Sequence, residues 1–217
     1  MISDWLPSSE CLAFLERSFG RCPYARGGAA QKAVPLLGWA TLDRLLSAPL
    51  HADVLTVASG RLCALTAPHS SDEVRTLLAR GISTVIRKGE RHDDGLRRLA
   101  DAFGAVLPGE VHVQIYATPG ATCSFGWHYD FEDVFIAQTL GVKDYYMRDN
   151  TVAHQTHLDE KLDFGRIRQE KSQLMVARLL AADWLYIPRR WWHLVKCEED
   201  SLSISVGVMS PEFTKRS

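Results

Sequence analysis

The sequence predicts a mainly β protein with flanking helices, built around an antiparallel sandwich or barrel. Two observations carry this. After Gly109 the chain breaks into short runs rich in β-branched and aromatic residues, VHVQIYATPG, WHYDFEDVFIAQTLG, KDYYMRDN, QLMVARLL, DWLYIP and SLSISVGVM, separated by Gly, Pro, Asn and Asp. Helical spacing of apolar residues is confined to the first half. With 217 residues, 46% hydrophobic and 24% charged, the chain has the composition of an ordinary folded domain, which excludes disordered, collagen-like and disulfide-dense classes.

Taken in order, the spacing predicts a helix over 7–19, with Leu12, Leu15 and Phe19 on one face, Ser8 or Ser9 as cap and Gly20 as the stop. Further helices are expected over 41–47, over 71–80 with Ser71 as cap, and over 94–103. Strand-like runs at 54–57, 62–65 and 84–86 lie between them, so the first half is mixed α and β. In the second half one polar interruption, 151–172, breaks the strand rhythm; a loop that long in a compact β domain is usually functional or mobile, and its mixed charge marks it as solvated.

Charge and cysteine usage narrow the function classes. Twenty-five Lys and Arg against 26 Asp and Glu give no bulk attraction to nucleic acid or to an anionic membrane, so neither is expected as a partner. No apolar run approaches the ~18–20 residues of a membrane span, and the acidic N-terminus lacks the basic region of a signal peptide, so a cytoplasmic location is expected. Cys11, Cys22, Cys63, Cys123 and Cys197 are odd in number and scattered, which reads as reduced thiols rather than a disulfide framework or a thiolate zinc site.

The sharpest chemical feature is Trp127-His128-Tyr129-Asp130. On a strand, residues i and i+2 share a face, so His128 and Asp130 would set an imidazole beside a carboxylate. A second histidine completes the two-His, one-carboxylate set that holds Fe(II) and leaves positions open. The spacing alone is unspecific, because H-x-D recurs at His92-Asp93-Asp94 and His157-Leu158-Asp159. His92 precedes a helix that Asp93 or Asp94 would cap, and His157 lies in the polar interruption, whereas His128 has an apolar, aromatic setting. His193 follows 65 residues later in DWLYIPRRWWHLV, where three tryptophans would shelter an imidazole from solvent. Each histidine taken singly is more commonly a hydrogen-bonded structural residue. Gly141-Val142-Lys143 reads as a turn that opens a strand with a lysine, either an exposed hairpin residue or the charge partner of a carboxylate. His154 and His157 at i, i+3 lack the rest of a zinc motif, and Cys123 lacks a group to orient a histidine base. Arg189-Arg190 and the 166–171 basic run are candidate contacts for an anionic or peptide substrate.

In order, spacing and surroundings these features resemble the JmjC-type, cupin-like Fe(II)/2-oxoglutarate oxygenases, especially the ribosomal oxygenases. FLERSFGRCPYAR is similar to their entry segment, VHVQIYATPG to the strand before the metal, and DWLYIPRRWWHLV with SLSISVG to their closing strands. The resemblance implies a double-stranded β-helix (jelly-roll) over 111–210, buttressed by an α/β region over 1–110, within a single domain of 1–217. It implies His128, Asp130 and His193 as iron ligands and catalytic centre, and Lys143 as partner of the distal carboxylate of 2-oxoglutarate. Tyr116 and Gln114 would hydrogen-bond nearby, with Trp127, Arg189 and Arg190 towards the substrate. The implied activity is hydroxylation of a C–H bond of a peptide or protein side chain with O2, coupled to decarboxylation of 2-oxoglutarate to succinate and CO2. A small-molecule hydroxylase of the same chemistry and a non-catalytic cupin-like binding protein are the alternatives. Two departures stand out: Ala182-Asp183 replaces the usual Gly-Asp before the L-Y-I-P run, and the chain stops at Ser217, without the dimerising and winged-helix regions of ribosomal oxygenases. Their dimer and their ribosomal-protein substrate are therefore not carried over.

Overall fold

The structure, a computed structural model, describes residues 8–48, 53–121, 125–152 and 163–211. Among the described residues the α-helices are α1 (Ser8–Arg17), α2 (Trp39–Leu46), α3 (Ser71–Ala79) and α4 (Asp94–Gly104), all before residue 110. The strands are β1 (Tyr24–Arg26), β2 (Val54–Ala58), β3 (Arg61–Leu62), β4 (Ser83–Ile86), β5 (Glu110–Thr118), β6 (Glu132–Leu140), β7 (Lys143–Arg148), β8 (Met175–Leu179), β9 (Trp184–Ile187), β10 (Trp192–Cys197) and β11 (Ser201–Met209). They form an eight-stranded sheet in the order β1-β9-β6-β11-β5-β4-β2-β3 and a three-stranded sheet β10-β7-β8, with every pairing antiparallel. This is a mainly β, cupin-like architecture.

Alternation along the strands divides the interior. On β11, Leu202, Ile204, Val206 and Val208 join the core shared with the helices, alongside Phe135 and Ala137 of β6 and Phe14 of α1. Val134 and Ile136 of β6 face the other way, into a second core with Tyr145, Met147 and Leu179 of the small sheet. Because the side-chain period of a strand is two, one strand serves both layers. The small residues Ser201, Ser203, Ser205 and Gly207 of β11 alternate with its helix-facing apolar set and so fall on the face turned away from the helices.

Several expectations are sharpened or corrected. Helix α1 ends at Arg17, and Gly20, at φ +70, follows as the turn. Helix α3 is capped by Ser70 rather than Ser71: Ser70 has extended backbone and its Oγ accepts from the Glu73 amide, while Ser71 is already helical. Of the two candidates Asp93 and Asp94, it is Asp93 that caps α4, through the Gly95 and Leu96 amides. Strand β3 is only two residues long; of the residues expected in a strand over 62–65, Leu62 lies exposed on this edge strand and Leu65, beyond its end, is exposed as well. Ala182 adopts φ +74, the left-handed conformation that the glycine of the usual Gly-Asp pair would take more easily, and the turn is tied to the Gln138 carbonyl by the Ala182 amide. Cys11, Cys22, Cys63 and Cys197 are free; Cys123 lies outside the described residues.

The polar interruption carries more structure than its composition suggests. Residues 153–162, including His154, His157 and Asp159, lie outside the described residues, but Phe164–Gln169 form a 3-10 helix. Next comes Glu170, a buried carboxylate that gathers the two ends of the segment. Its oxygens accept from the Thr151 amide (2.7 Å) and hydroxyl (2.8 Å) and from the Lys171 and Ser172 amides (3.0 Å each). Burial alone would raise this carboxyl, but the hydrogen bonds outweigh it and hold the pKa at about 2. Glu170→Gln is expected to cost roughly 1–3 kcal/mol of stability near neutral pH, because it removes a charged acceptor from several donors. With a folded pKa below the ordinary 4.5, this contribution is full above pH ~4.5 and is lost as the pH falls towards ~2. Thermal unfolding of both proteins should draw together across that window; a gap as wide at pH 2.5 as at neutral pH would contradict the assignment.

Candidate metal centre

His128 and Asp130 do not lie on a strand, contrary to the alternation argument. Strand β6 begins at Glu132, and the segment before it crosses towards β10 instead. Tyr129 and Phe131 bury themselves with Trp192, and the Arg190 amide donates to the Asp130 carbonyl at 2.6 Å. What aligns the two histidines is a reciprocal backbone pair: His128 N donates to His193 O at 3.1 Å and His193 N to His128 O at 2.8 Å. Directly opposite residues of an antiparallel pair share a face, and the imidazole centroids are 4.1 Å apart.

Hydrogen bonding fixes which nitrogens face the centre. Nδ1 of His128 lies 2.8 Å from the Gly126 carbonyl, and Nδ1 of His193 lies 3.0 Å from the Trp191 carbonyl. A carbonyl oxygen only accepts, so Nδ1 is the protonated nitrogen in each neutral ring and Nε2 presents its lone pair. His193 Nε2 is 3.5 Å from Asp130 Oδ2, and the ligand atoms of His128, Asp130 and His193 all lie within 4.8 Å of one another. Burial, reinforced by His128, lowers the His193 pKa to about 4 against the opposing pull of Asp130, so its ring is neutral at physiological pH. Two imidazoles, each oriented by a backbone acceptor, and one carboxylate fit a divalent transition metal.

The same cavity, about 200 Å³, is lined by these three residues together with Gln114, Tyr116, Lys143, Tyr145, Ser203 and Glu132. Lys143 opens β7, immediately after a turn that needs glycine: Gly141 has φ +75, and a Cβ there would lie 2.6 Å from the Asp200 carbonyl oxygen. Gly141→Ala is expected to destabilise the fold by about 2 kcal/mol or more. Lys143 is only 2% exposed; its Nζ donates to Ser203 Oγ at 2.7 Å and lies 5.9 Å from the centre of the Tyr116 ring. Among the described residues no carboxylate forms an ion pair with it, and burial pulls its pKa down to about 8. Tyr116 donates to Gln114 Oε1 at 2.9 Å, and Tyr145 shares a side-chain hydrogen bond with Ser203. Burial raises both phenols above their ordinary range, so they remain protonated donors.

Thus His128, Asp130, His193, Lys143, Tyr116 and Gln114 share one cavity, while Trp127, Arg189 and Arg190 are not among its lining residues. Trp127 packs beside Tyr129 and Trp192, and the Arg189 amide donates to Asp133 Oδ1 at 3.3 Å. The H-x-D sequence at His92 is accounted for by other contacts: His92 Nε2 lies 3.4 Å from Asp53, and Asp93 caps a helix. Tyr145, Ser203, Ser205 and Glu132 were not singled out from the sequence. The available signal was the two-residue alternation of β6, β7 and β11, which places these side chains on the cavity face.

The sequence profile of the JmjC domain family matches residues 88–215. No curated protein sequence matches the chain significantly. Among solved structures, YcfD, a ribosomal oxygenase from Escherichia coli, in complex with cobalt and 2-oxoglutarate is similar at TM-score 0.67 and 18% identity, over 93% of this chain and 52% of that one. Its complex with cobalt and succinic acid gives TM-score 0.66 and 20% identity, over 93% of this chain and 51% of that one. The chain therefore spans about half the length of these relatives, and the likeness is one of fold. With the family profile covering more than half of its sequence and the cupin-like architecture in place, the chain belongs to the JmjC domain family.

Proposed function

We propose that the protein is an Fe(II)- and 2-oxoglutarate-dependent oxygenase that hydroxylates a C–H bond of a peptide or protein side chain, working as one catalytic domain over 1–217. The observation that carries this reading is the convergence of His128, Asp130 and His193 in the same cavity as Lys143, a buried ammonium with no carboxylate partner among the described residues. The metal would be held by His128 Nε2, His193 Nε2 and an Asp130 carboxylate oxygen. When bound, Fe(II) supplies the redox chemistry by which O2, 2-oxoglutarate and R–H become R–OH, succinate and CO2. Lys143 receives the distal carboxylate of 2-oxoglutarate, Ser203 orients the ammonium, and Tyr116 and Tyr145 offer hydroxyls in the same cavity.

The cavity, at about 200 Å³, is smaller than the roughly 300–1,000 Å³ of drug-sized sites. A five-carbon dicarboxylate occupies much of it, so the main substrate enters with little more than one side chain; this favours a peptide over a bulky metabolite. A cytoplasmic location and the absence of a nucleic-acid partner belong to the same proposal; no helix among the described residues is long and apolar enough to cross a membrane. The test is anaerobic thermal stabilisation by Fe(II) plus 2-oxoglutarate, followed by aerobic assay of succinate and of a one-oxygen mass gain in pools of peptides and of small metabolites. Absence of both stabilisation and succinate overturns the proposal, and a mass gain only among metabolites moves the substrate class.

A further inference from the structure

Asp133 of β6 turns its carboxylate away from the metal cavity. By strand alternation it shares a face with Phe135 and Ala137, on the side of the helix-backed core, and it is only 6% exposed. A buried carboxylate in an apolar layer is costly unless strong donors meet it. Its Oδ1 accepts from the Tyr186 hydroxyl, which in turn accepts from the Gly20 amide at 2.7 Å, and from the Arg189 amide at 3.3 Å. The Arg189 guanidinium adds an attractive charge. What the Arg189 amide belongs to is a four-residue turn, Pro188 to Trp191, closed by the Trp191 amide donating to the Pro188 carbonyl at 3.2 Å. Arg190 in this turn has φ +69, and a residue other than glycine keeps that conformation only where its surroundings impose it. From the same turn the Arg190 amide donates to the Asp130 carbonyl at 2.6 Å, and the Trp191 carbonyl accepts from His193 Nδ1 at 3.0 Å. His128 is tied in through its reciprocal backbone pair with His193. One turn therefore sets the backbone of the first ligand, the ring angle of the second and, through the second, the position of the third.

We infer that Asp133 is a positioning residue of the metal centre: by accepting from the Arg189 amide it fixes the turn from Pro188 to Trp191, and through that turn the placement of Asp130 and His193. The inference rests on the reading of His128, Asp130 and His193 as metal ligands. It gives a task to a charge that lies in an apolar layer and outside the cavity lining. Residues that orient metal ligands without touching the metal typically contribute ~10–100-fold to metal affinity.

The test is anaerobic Co(II) titration, reading the dissociation constant and the shape of the visible d–d bands at saturation, with thermal unfolding in parallel. Asp133→Leu removes the acceptor; it should weaken Co(II) binding about tenfold or more and change the band shape. Asp133→Asn, whose amide oxygen still accepts from Arg189, should stay within a few-fold of wild type and keep its bands. Leu99→Ala, in the helix-side core away from the turn, supplies a loss of stability without touching the centre and should leave affinity and bands unchanged. Arg189→Pro approaches the link from the other side and reads it even where Asp133→Leu does not fold. It deletes the donating N–H at the turn position where proline is favoured, and should weaken Co(II) binding by a similar factor. Wild-type affinity and bands in folded Asp133→Leu or in Arg189→Pro, or an equal change in Asp133→Asn or in Leu99→Ala, overturn the inference. A wild-type protein that binds no Co(II) defeats the metal reading instead. The inference is then scored on metal-free protein by NMR: the His193 Nδ1–H proton should lose its protection from exchange in Asp133→Leu and keep it in Asp133→Asn, and protection in both overturns it.

Discussion

Asp130→Ala protein is expected to lose 2-oxoglutarate-dependent succinate formation and to bind manganese or anaerobic Fe(II) far more weakly than wild type. Asp130 is the one carboxylate among the three converging ligands, and it supplies the negative charge that imidazole ligands do not. Losing a partner one layer outside a metal site typically costs ~10–100-fold in affinity or activity, and loss of a direct, charged ligand should exceed that. The fold should tolerate the change, since the Asp130 side chain is 46% exposed and the hydrogen bond that fixes this segment uses the Asp130 backbone carbonyl. Metal titration with folding monitored in parallel checks both points. Turnover within a few-fold of wild type would sink the metal assignment.

Lys143→Met should weaken cosubstrate binding while making the ligand-free fold more stable. The 2-oxoglutarate KM is expected to rise on the order of 100-fold, since truncating one partner of a buried charge pair costs roughly 2–5 kcal/mol. The ligand-free variant should nevertheless unfold at a higher temperature than wild type near pH 7, because an uncompensated buried ammonium is replaced by an apolar chain of similar length. The pH dependence follows from the lysine's folded pKa of about 8 against 10.5 when unfolded. Between those values the unfolded chain holds the proton that the folded one has released, so wild-type stability rises with pH relative to the variant. Over the same range 2-oxoglutarate affinity should fall, because the neutral amine no longer pairs with the carboxylate. An unchanged KM in Lys143→Met would remove Lys143 from cosubstrate binding.

Much of this architecture is legible in the linear chain. Leu202, Ile204, Val206 and Val208 alternate with Ser201, Ser203, Ser205 and Gly207, and strand geometry alone converts that into an apolar face and a small polar one. Asp93 before α4 and Gly141 before Lys143 are local signals whose meaning depends only on neighbouring backbone, and both act as their spacing implies. The argument from i, i+2 spacing for His128 and Asp130 fails in its premise, because Tyr129 and Phe131 find a better apolar partner in Trp192 than a continued strand would give them. Cap choice between Ser70 and Ser71 was likewise decided by one residue's backbone conformation, which spacing does not encode.

By itself the sequence determined the inventory: a mainly β chain, two histidines and an acid in the right order, and a lysine behind a glycine turn. Only the tertiary structure decided how that inventory is used. It paired His128 with His193 across 65 residues through two backbone hydrogen bonds, sank Lys143 beside Ser203, and left Glu132 facing the same cavity over Gly207. The reason is physical. Strand alternation is a local property of the backbone, whereas convergence of ligands, desolvation and unpaired charge depend on segments far apart in sequence that meet only once both sheets have closed around the cavity.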